Sequence, residues 1–120
     1  KLKKIARSNI EFLGFVPDDE LPLLYARAQA LIFPQEEDFG IVAVESMAAG
    51  RPVIAYKAGG ALETIIDRQT GVFFEHQTET DLARAINIYQ ELKFNSQFIK
   101  TWAEQFSVQT FINNILRLIN

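Results

Sequence analysis

An α/β fold, in which helices cover both faces of a parallel sheet, is predicted by three features of this sequence. The short runs Ala30–Phe33, Pro52–Tyr56 and Val72-Phe73-Phe74 are almost wholly apolar, as expected of strands buried on both faces rather than one. Between them, apolar residues recur at helical spacing. Glycine, proline and acidic residues gather where these segments join, and strands alternating in this way with helices give a parallel sheet.

In chain order, Lys1-Leu2-Lys3-Lys4-Ile5-Ala6-Arg7 reads as the end of an amphipathic helix. Its charges suit either a solvated face or peripheral contact of a longer protein with an anionic membrane, and the solvated face is the simpler reading. Asn9 to Phe15 is expected to be a strand, with Gly14 near its end. Pro17-Asp18-Asp19 supplies a turn and cap for a helix carrying Leu21, Leu24, Tyr25 and Ala28, with Pro22 tolerated in the first turn. The strand Ala30–Phe33 leads to a helix over Gly40–Ala49, closed by Gly50 in the left-handed position past its end. Pro52–Tyr56 is the next strand, and Gly59-Gly60 opens a short helix over Ala61–Ile66. After a turn at Asp67–Gly71 and the strand Val72–Phe74, Thr80-Asp81 caps a helix reaching about Leu92. Two further helices, around Ser96–Glu104 and Val108–Ile119, end the chain.

The 120 residues make one domain, and with 48% hydrophobic residues and no low-complexity tract the chain is not a disordered one. A net charge of −3 argues against general nucleic-acid binding, which relies on neutralising phosphates. The absence of cysteine removes disulfide and thiolate chemistry, and a single histidine removes His-rich metal sites. With no signal peptide and no apolar run of membrane-spanning length, a cytoplasmic location is expected. The first residue is not Met, so the sequence is expected to be a piece of a longer protein.

Parallel sheets bind ligands at the carboxyl ends of their strands, which directs attention to Gly14–Asp19, Pro34–Gly40 and Lys57–Gly60. At Phe39-Gly40 the chain enters a helix whose N–H groups at Gly40, Ile41 and Val42 would form an anion site. An ordinary strand-to-helix turn capped by Asp38 explains those residues equally well. Glu37 and Glu45 flank this turn, with seven residues between them. Glu37 alone fits a solvated acidic loop. Glu45 is the only charge in an apolar helix, and burying it unpaired would cost several kcal/mol, so a partner with hydroxyl donors is expected. Gly59-Gly60 is either a second backbone nest or plain turn chemistry, and Lys57 is best read as an exposed lysine. His76 reads as a surface residue, Ser46 lacks the setting of a hydrolase nucleophile, and Glu36-Glu37-Asp38 is a poor metal site because consecutive side chains rarely converge.

Several of these segments together resemble the C-terminal half of a GT-B glycosyltransferase of the retaining family 4, also called glycosyl transferases group 1. The E-x7-E element of that family is matched by Pro34, Glu37, Phe39-Gly40, Glu45, Ala48, Gly50 and Pro52-Val53-Ile54-Ala55. Asn9-Ile10-Glu11-Phe12-Leu13-Gly14-Phe15-Val16 is similar to an upstream strand of the family, and Gly59-Gly60-x-x-Glu63 and Thr70-Gly71-Val72-Phe73 to two later landmarks. The resemblance covers nearly all of the chain and implies a Rossmann-like, nucleotide-sugar-binding domain lacking its first strands.

The resemblance also implies roles. Glu37 would act at the donor sugar near the reacting centre. Main-chain groups of Phe39, Gly40, Ile41 and Val42 would hold sugar hydroxyls and diphosphate, with Gly59 and Gly60 beside them. Glu45 would accept hydrogen bonds from ribose, and Gly14, Phe15 and Val16 would edge the base. Transfer would retain anomeric configuration without metal or other cofactor, the leaving diphosphate being stabilised electrostatically. The wording from Glu36 to Val42, with Ala55-Tyr56 and Gly59–Thr64, is similar to mannosyltransferases of the WbaZ type, which implies GDP-mannose as donor and a glycan or lipid-linked acceptor. A diphosphate-clamping Gly-Arg strand end and lysine of the family are not in this chain, so little or no transfer by these 120 residues alone is expected. The competing readings are another GT-B enzyme, such as a nucleotide-sugar 2-epimerase or a phosphorylase, and a receiver-like signalling module. The receiver reading lacks an Asp at the end of Ala30–Phe33.

Overall fold

The computed structural model describes residues 10–106 and 115–117. Within them, β1 (Leu31–Phe33), β2 (Val53–Tyr56) and β3 (Gly71–Phe74) form a parallel sheet in the order β1-β2-β3. The register sets Phe33 beside Ala55, and Ala55 beside Phe73. The helices are α1 (Leu21–Arg27), α2 (Ile41–Ala48), α3 (Ala61–Thr64), α4 (Glu79–Glu91) and α5 (Ser96–Ala103), followed by a 3-10 turn over Glu104–Phe106.

The central strand shows why its sequence has no polar alternation. Val53 and Ala55 join Phe33, Met47, Ile65 and Ile99 in one core, between the sheet and α2, α3 and α5. Ile54 points the other way, to Val72, Phe74 and Ala85, under α4. Both faces are dry, so period-two alternation sorts residues between two cores rather than between core and water. Trp102 fixes α5 to the far side of the first core by donating its indole N–H to the Thr64 carbonyl at 2.7 Å.

Helix α2 buries Ala43, Val44 and Met47, and leaves Ile41, Val42 and Ala48 exposed. It ends as expected of a glycine in the left-handed region. Gly50 (φ 83) donates to Met47 O at 2.8 Å and Arg51 to Ser46 O at 3.0 Å, which ties off the last turn.

Several elements differ from the sequence expectations. Residues 10–15 form no strand; Asn9 lies outside the described residues. Ile10, Leu13 and Phe15 are exposed, and the sheet of the described residues consists of β1, β2 and β3 without this segment. Asp18 and Asp19 do not cap α1: its N-cap is Glu20, without a side-chain bond, and the turn closes through Glu20 N–H to Pro17 O at 3.0 Å. The cap of α4 is Thr78, not Thr80-Asp81, because Thr78 has the extended backbone a cap needs and accepts from Asp81 N–H. Helix α3 stops at Thr64, since an extended Ile65 drops into the core. The basic segment Lys1–Arg7 and most of the helix expected over Val108–Ile119 lie outside the described residues, of which 115–117 are helical. No helix among the described residues is long and apolar enough to cross a membrane.

Candidate functional site

The carboxyl ends of the three strands discharge into the segments 34–40, 57–60 and 75–78. The first two meet closely. Gly60 N–H donates to the Glu37 carbonyl at 2.6 Å. A Cβ on Gly59 would overlap that same carbonyl oxygen, and one on Gly60 would overlap Asp38 O and the Phe39 backbone. Two glycines are needed here for close approach of one loop to another. The third segment touches the first from the other side, where Gln77 Nε2 donates to Pro34 O at 2.8 Å.

Within the acidic loop Glu37 is exposed, and its carboxylate accepts from Gln35 Nε2 at 3.3 Å. Gly40 then takes a left-handed conformation (φ 73, ψ 55) as the N-cap of α2. The nearest atoms to a Cβ built there are those of the Phe33 ring, at 3.7 Å, so backbone angle rather than crowding calls for glycine. Asp38 does not cap the helix: no side chain bonds to its first turn among the described residues. The first N–H groups of α2 are therefore open, at a helix start where Phe39, Ile41 and Val42 are all exposed. Such a terminus carries roughly half a positive charge and attracts anions.

Glu45 is half-buried, less enclosed than its apolar neighbours suggested. The reason is helical phase: the core-facing stripe runs through Ala43, Val44 and Met47, which leaves Glu45 beside Ile41 and Ala48 on the outer side. Its charge is felt by Tyr25 of α1. Burial first, and the Glu45 carboxylate second, hold the Tyr25 phenol above its ordinary range.

Gly14 is exposed with a left-handed backbone (φ 69). Phe15 and Val16 line, with Leu13, Glu20 and residues of α1 that include Leu23, a hollow of about 370 Å³ that shares no residue with the acidic loop. The structure thus brings Glu37, Phe39, Gly40, Gly59 and Gly60 together, sets Ile41, Val42 and Glu45 on the helix that follows, and places Phe15 and Val16 against α1. Lys57 is exposed, and Ser46 is buried with its hydroxyl donating to Arg51 O at 3.3 Å. Among the described residues no three His, Asp or Glu side chains converge on a point where a metal could sit.

Two neighbours of these segments carried no functional signal in the sequence. Gln77 lies in a polar stretch that reads as plain loop, and only the fold brings it to Pro34, 43 residues away. Beside it, His76 Nδ1 lies 2.8 Å from Asp81 Oδ2, which also accepts from His76 N–H at 3.0 Å, while Asp81 Oδ1 accepts from Arg84 at 3.2 Å. These contacts, the His76 ring foremost, hold the Asp81 carboxyl below its ordinary range. Tyr25 is the other neighbour; helical spacing marks it only as an apolar-face residue.

The sequence profile of the glycosyl transferases group 1 matches residues 1–105. The chain is 39% identical to an uncharacterized glycosyltransferase, MJ1178, of Methanocaldococcus jannaschii, over 81% of this chain and 27% of the relative. It is 32% identical to the alpha-1,3/1,6-mannosyltransferase ALG2 of Dictyostelium discoideum, over 99% of this chain and 30% of that protein. The crystal structure of Anabaena Alr3699/HepE in complex with UDP and glucose is similar with a TM-score of 0.79 and 31% identity, covering 94% of this chain and 32% of that one. The chain spans less than a third of the length of each of these proteins. Because the profile match takes in the whole sheet together with the loops at its carboxyl edge, the chain belongs to the glycosyl transferases group 1.

Proposed function

We propose that this chain is the donor-binding part of a retaining glycosyltransferase that moves a hexose from a nucleotide diphosphate sugar to a glycan or lipid-linked acceptor. The observation that carries the reading is the uncapped start of α2, open to solvent and flanked by Glu37 before it and Glu45 one turn inside it. The donor diphosphate sits on the N–H groups of Phe39, Gly40, Ile41 and Val42. As the sugar–phosphate bond breaks, charge grows on the leaving phosphate, and donors already aimed at that position stabilise it without rearranging. Glu45 accepts hydrogen bonds from ribose hydroxyls in a half-buried setting, where such bonds are stronger than in bulk water. Glu37 meets the sugar near the reacting carbon. Gly14, Phe15 and Val16 edge the base, and Gly59 and Gly60 hold the Glu37 loop against it.

Mannose is the favoured hexose, with GDP-mannose as donor, on the wording of the Glu36–Val42 segment and the similarity to a mannosyltransferase. UDP-glucose is the rival donor, since a similar structure is a complex with UDP and glucose. Calorimetric titration of the full-length protein with GDP-mannose and UDP-glucose tests both levels. Glu45→Ala is expected to weaken binding of the preferred donor by about 1.5–3 kcal/mol, the worth of hydrogen bonds to a charged group. Unchanged affinity would mean that Glu45 faces elsewhere and would sink the ribose assignment.

A further inference from the structure

We infer that Gln77 is a positioning residue for the Glu37 loop, a role that rests on the proposal that Glu37 meets the donor sugar. The loop leaves β1 at Pro34, which has no N–H, so its carbonyl is the one backbone group by which this first loop residue can be tied. That carbonyl is taken by the Gln77 amide at 2.8 Å. The acceptor is a carbonyl oxygen, so the NH₂ half of the amide must face it. At the other end of the same stretch, the Glu37 carbonyl accepts from Gly60 N–H at 2.6 Å. Residues 34–37 are therefore held at both ends, each tie coming from the loop after a different strand.

Pro34 and Gln77 both line a hollow of about 370 Å³, with Phe74 and Leu82 among its other walls, so the tie lies at the rim of open space. The turn that presents Gln77 is itself built to hold still. Thr78 caps α4, and Asp81 takes both the backbone N–H and the ring of His76. Removing the Gln77 donor leaves the Gly60 tie intact, and the chain stays anchored at Phe33, which is buried and paired in β1. The effect is a loosening of the stretch between Phe33 and Glu37 and not unfolding. Donor binding on α2 is then spared, and the geometry at the sugar is not.

The test uses the full-length protein, with hydrolytic release of nucleotide from GDP-mannose or UDP-glucose as the readout, water taking the hexose in place of the acceptor and the phosphate leaving with the nucleotide. Gln77→Ala is expected to lower kcat about tenfold, in line with the cost of a small misplacement at a reacting centre. The KM for the donor should move by less than about threefold, since uniform binding is untouched. Gln77→Lys restores a donor on a longer stem and should recover most of kcat. Glu37→Gln, measured in parallel, separates the two levels. If Glu37→Gln is inactive while Gln77→Ala keeps the wild-type kcat, the positioning role is overturned and the donor reading stands. If Glu37→Gln itself turns over normally, the reading falls and the inference with it. A Gln77→Ala loss that Gln77→Lys fails to recover, accompanied by a fall in thermal midpoint, would also overturn it, because that is the signature of general destabilisation.

Discussion

The Gly60 N–H meets the Glu37 carbonyl at 2.6 Å, and the two backbones are so close that no side chain fits between them. Gly60 has helical angles (φ −62, ψ −23), which any residue adopts without strain. Backbone propensity alone would make Gly60→Ala stabilising by about 0.4–1 kcal/mol. Crowding against Asp38 O and the Phe39 backbone has the opposite sign, and overpacking of this kind costs about 1–3 kcal/mol. We expect crowding to win. Gly60→Ala should lower the denaturant midpoint and, by displacing Glu37, cut turnover of the full-length protein by up to about a hundredfold. A variant as stable as the wild type or more so would show that the two loops do not pack this closely.

Asp81 gives a pH signature at the neighbouring loop. Its carboxyl is held below the ordinary value by the His76 ring first, and also by the His76 N–H and Arg84, with partial burial working the other way. A carboxyl with a lowered folded-state pKa adds stability that is complete above its unfolded value and is lost as pH falls through the folded one. In urea denaturation, the gap between wild type and Asp81→Asn should therefore be widest above about pH 5 and close as pH drops below about 4. A gap that stays constant across that range would mean the charge on Asp81 contributes nothing and only its hydrogen-bond geometry counts.

What was legible in the sequence follows from what local chemistry dictates. The three strands of the sheet are readable from their apolar runs, and β2 divides its residues between two cores as burial on both faces requires. At β1 that reading goes too far: Ile32 is 46% exposed on one face, because only Phe33 of that edge strand is fully covered. The Phe39-Gly40 turn and the Gly50 helix stop were readable because left-handed backbone selects glycine. The strand expected over Asn9–Phe15 is absent from its described part, residues 10–15, because strand geometry is conferred by a neighbour and an apolar run does not say whether one is present. Glu45 was misjudged in degree: a run of apolar neighbours in sequence does not fix helical phase, and the phase turns it half outward. Gln77 was invisible, since a polar loop residue acquires meaning only from the carbonyl that the fold sets before it.

With the donor diphosphate on the open start of α2, as proposed, stability and binding should respond in opposite directions to a single charge placed there. Ile41 is the first residue of the helix and is 63% exposed, so a short acidic side chain there displaces no core packing. Placed against uncapped N–H groups, an aspartate stabilises the helix by about 0.3–1 kcal/mol through the helix dipole. The same charge occupies the electrostatic site proposed for the donor diphosphate and repels it. Ile41→Asp should therefore raise the thermal midpoint slightly while weakening nucleotide-sugar binding by about tenfold or more at low salt, with the loss shrinking as ionic strength rises. Ile41→Asn, similar in size and uncharged, separates charge from the loss of the isoleucine side chain and should leave affinity within about threefold of wild type. If Ile41→Asp gains stability and binds donor as the wild type does, the diphosphate does not lie on this helix, and the assignment of Phe39, Gly40, Ile41 and Val42 to the donor site fails while the fold is untouched.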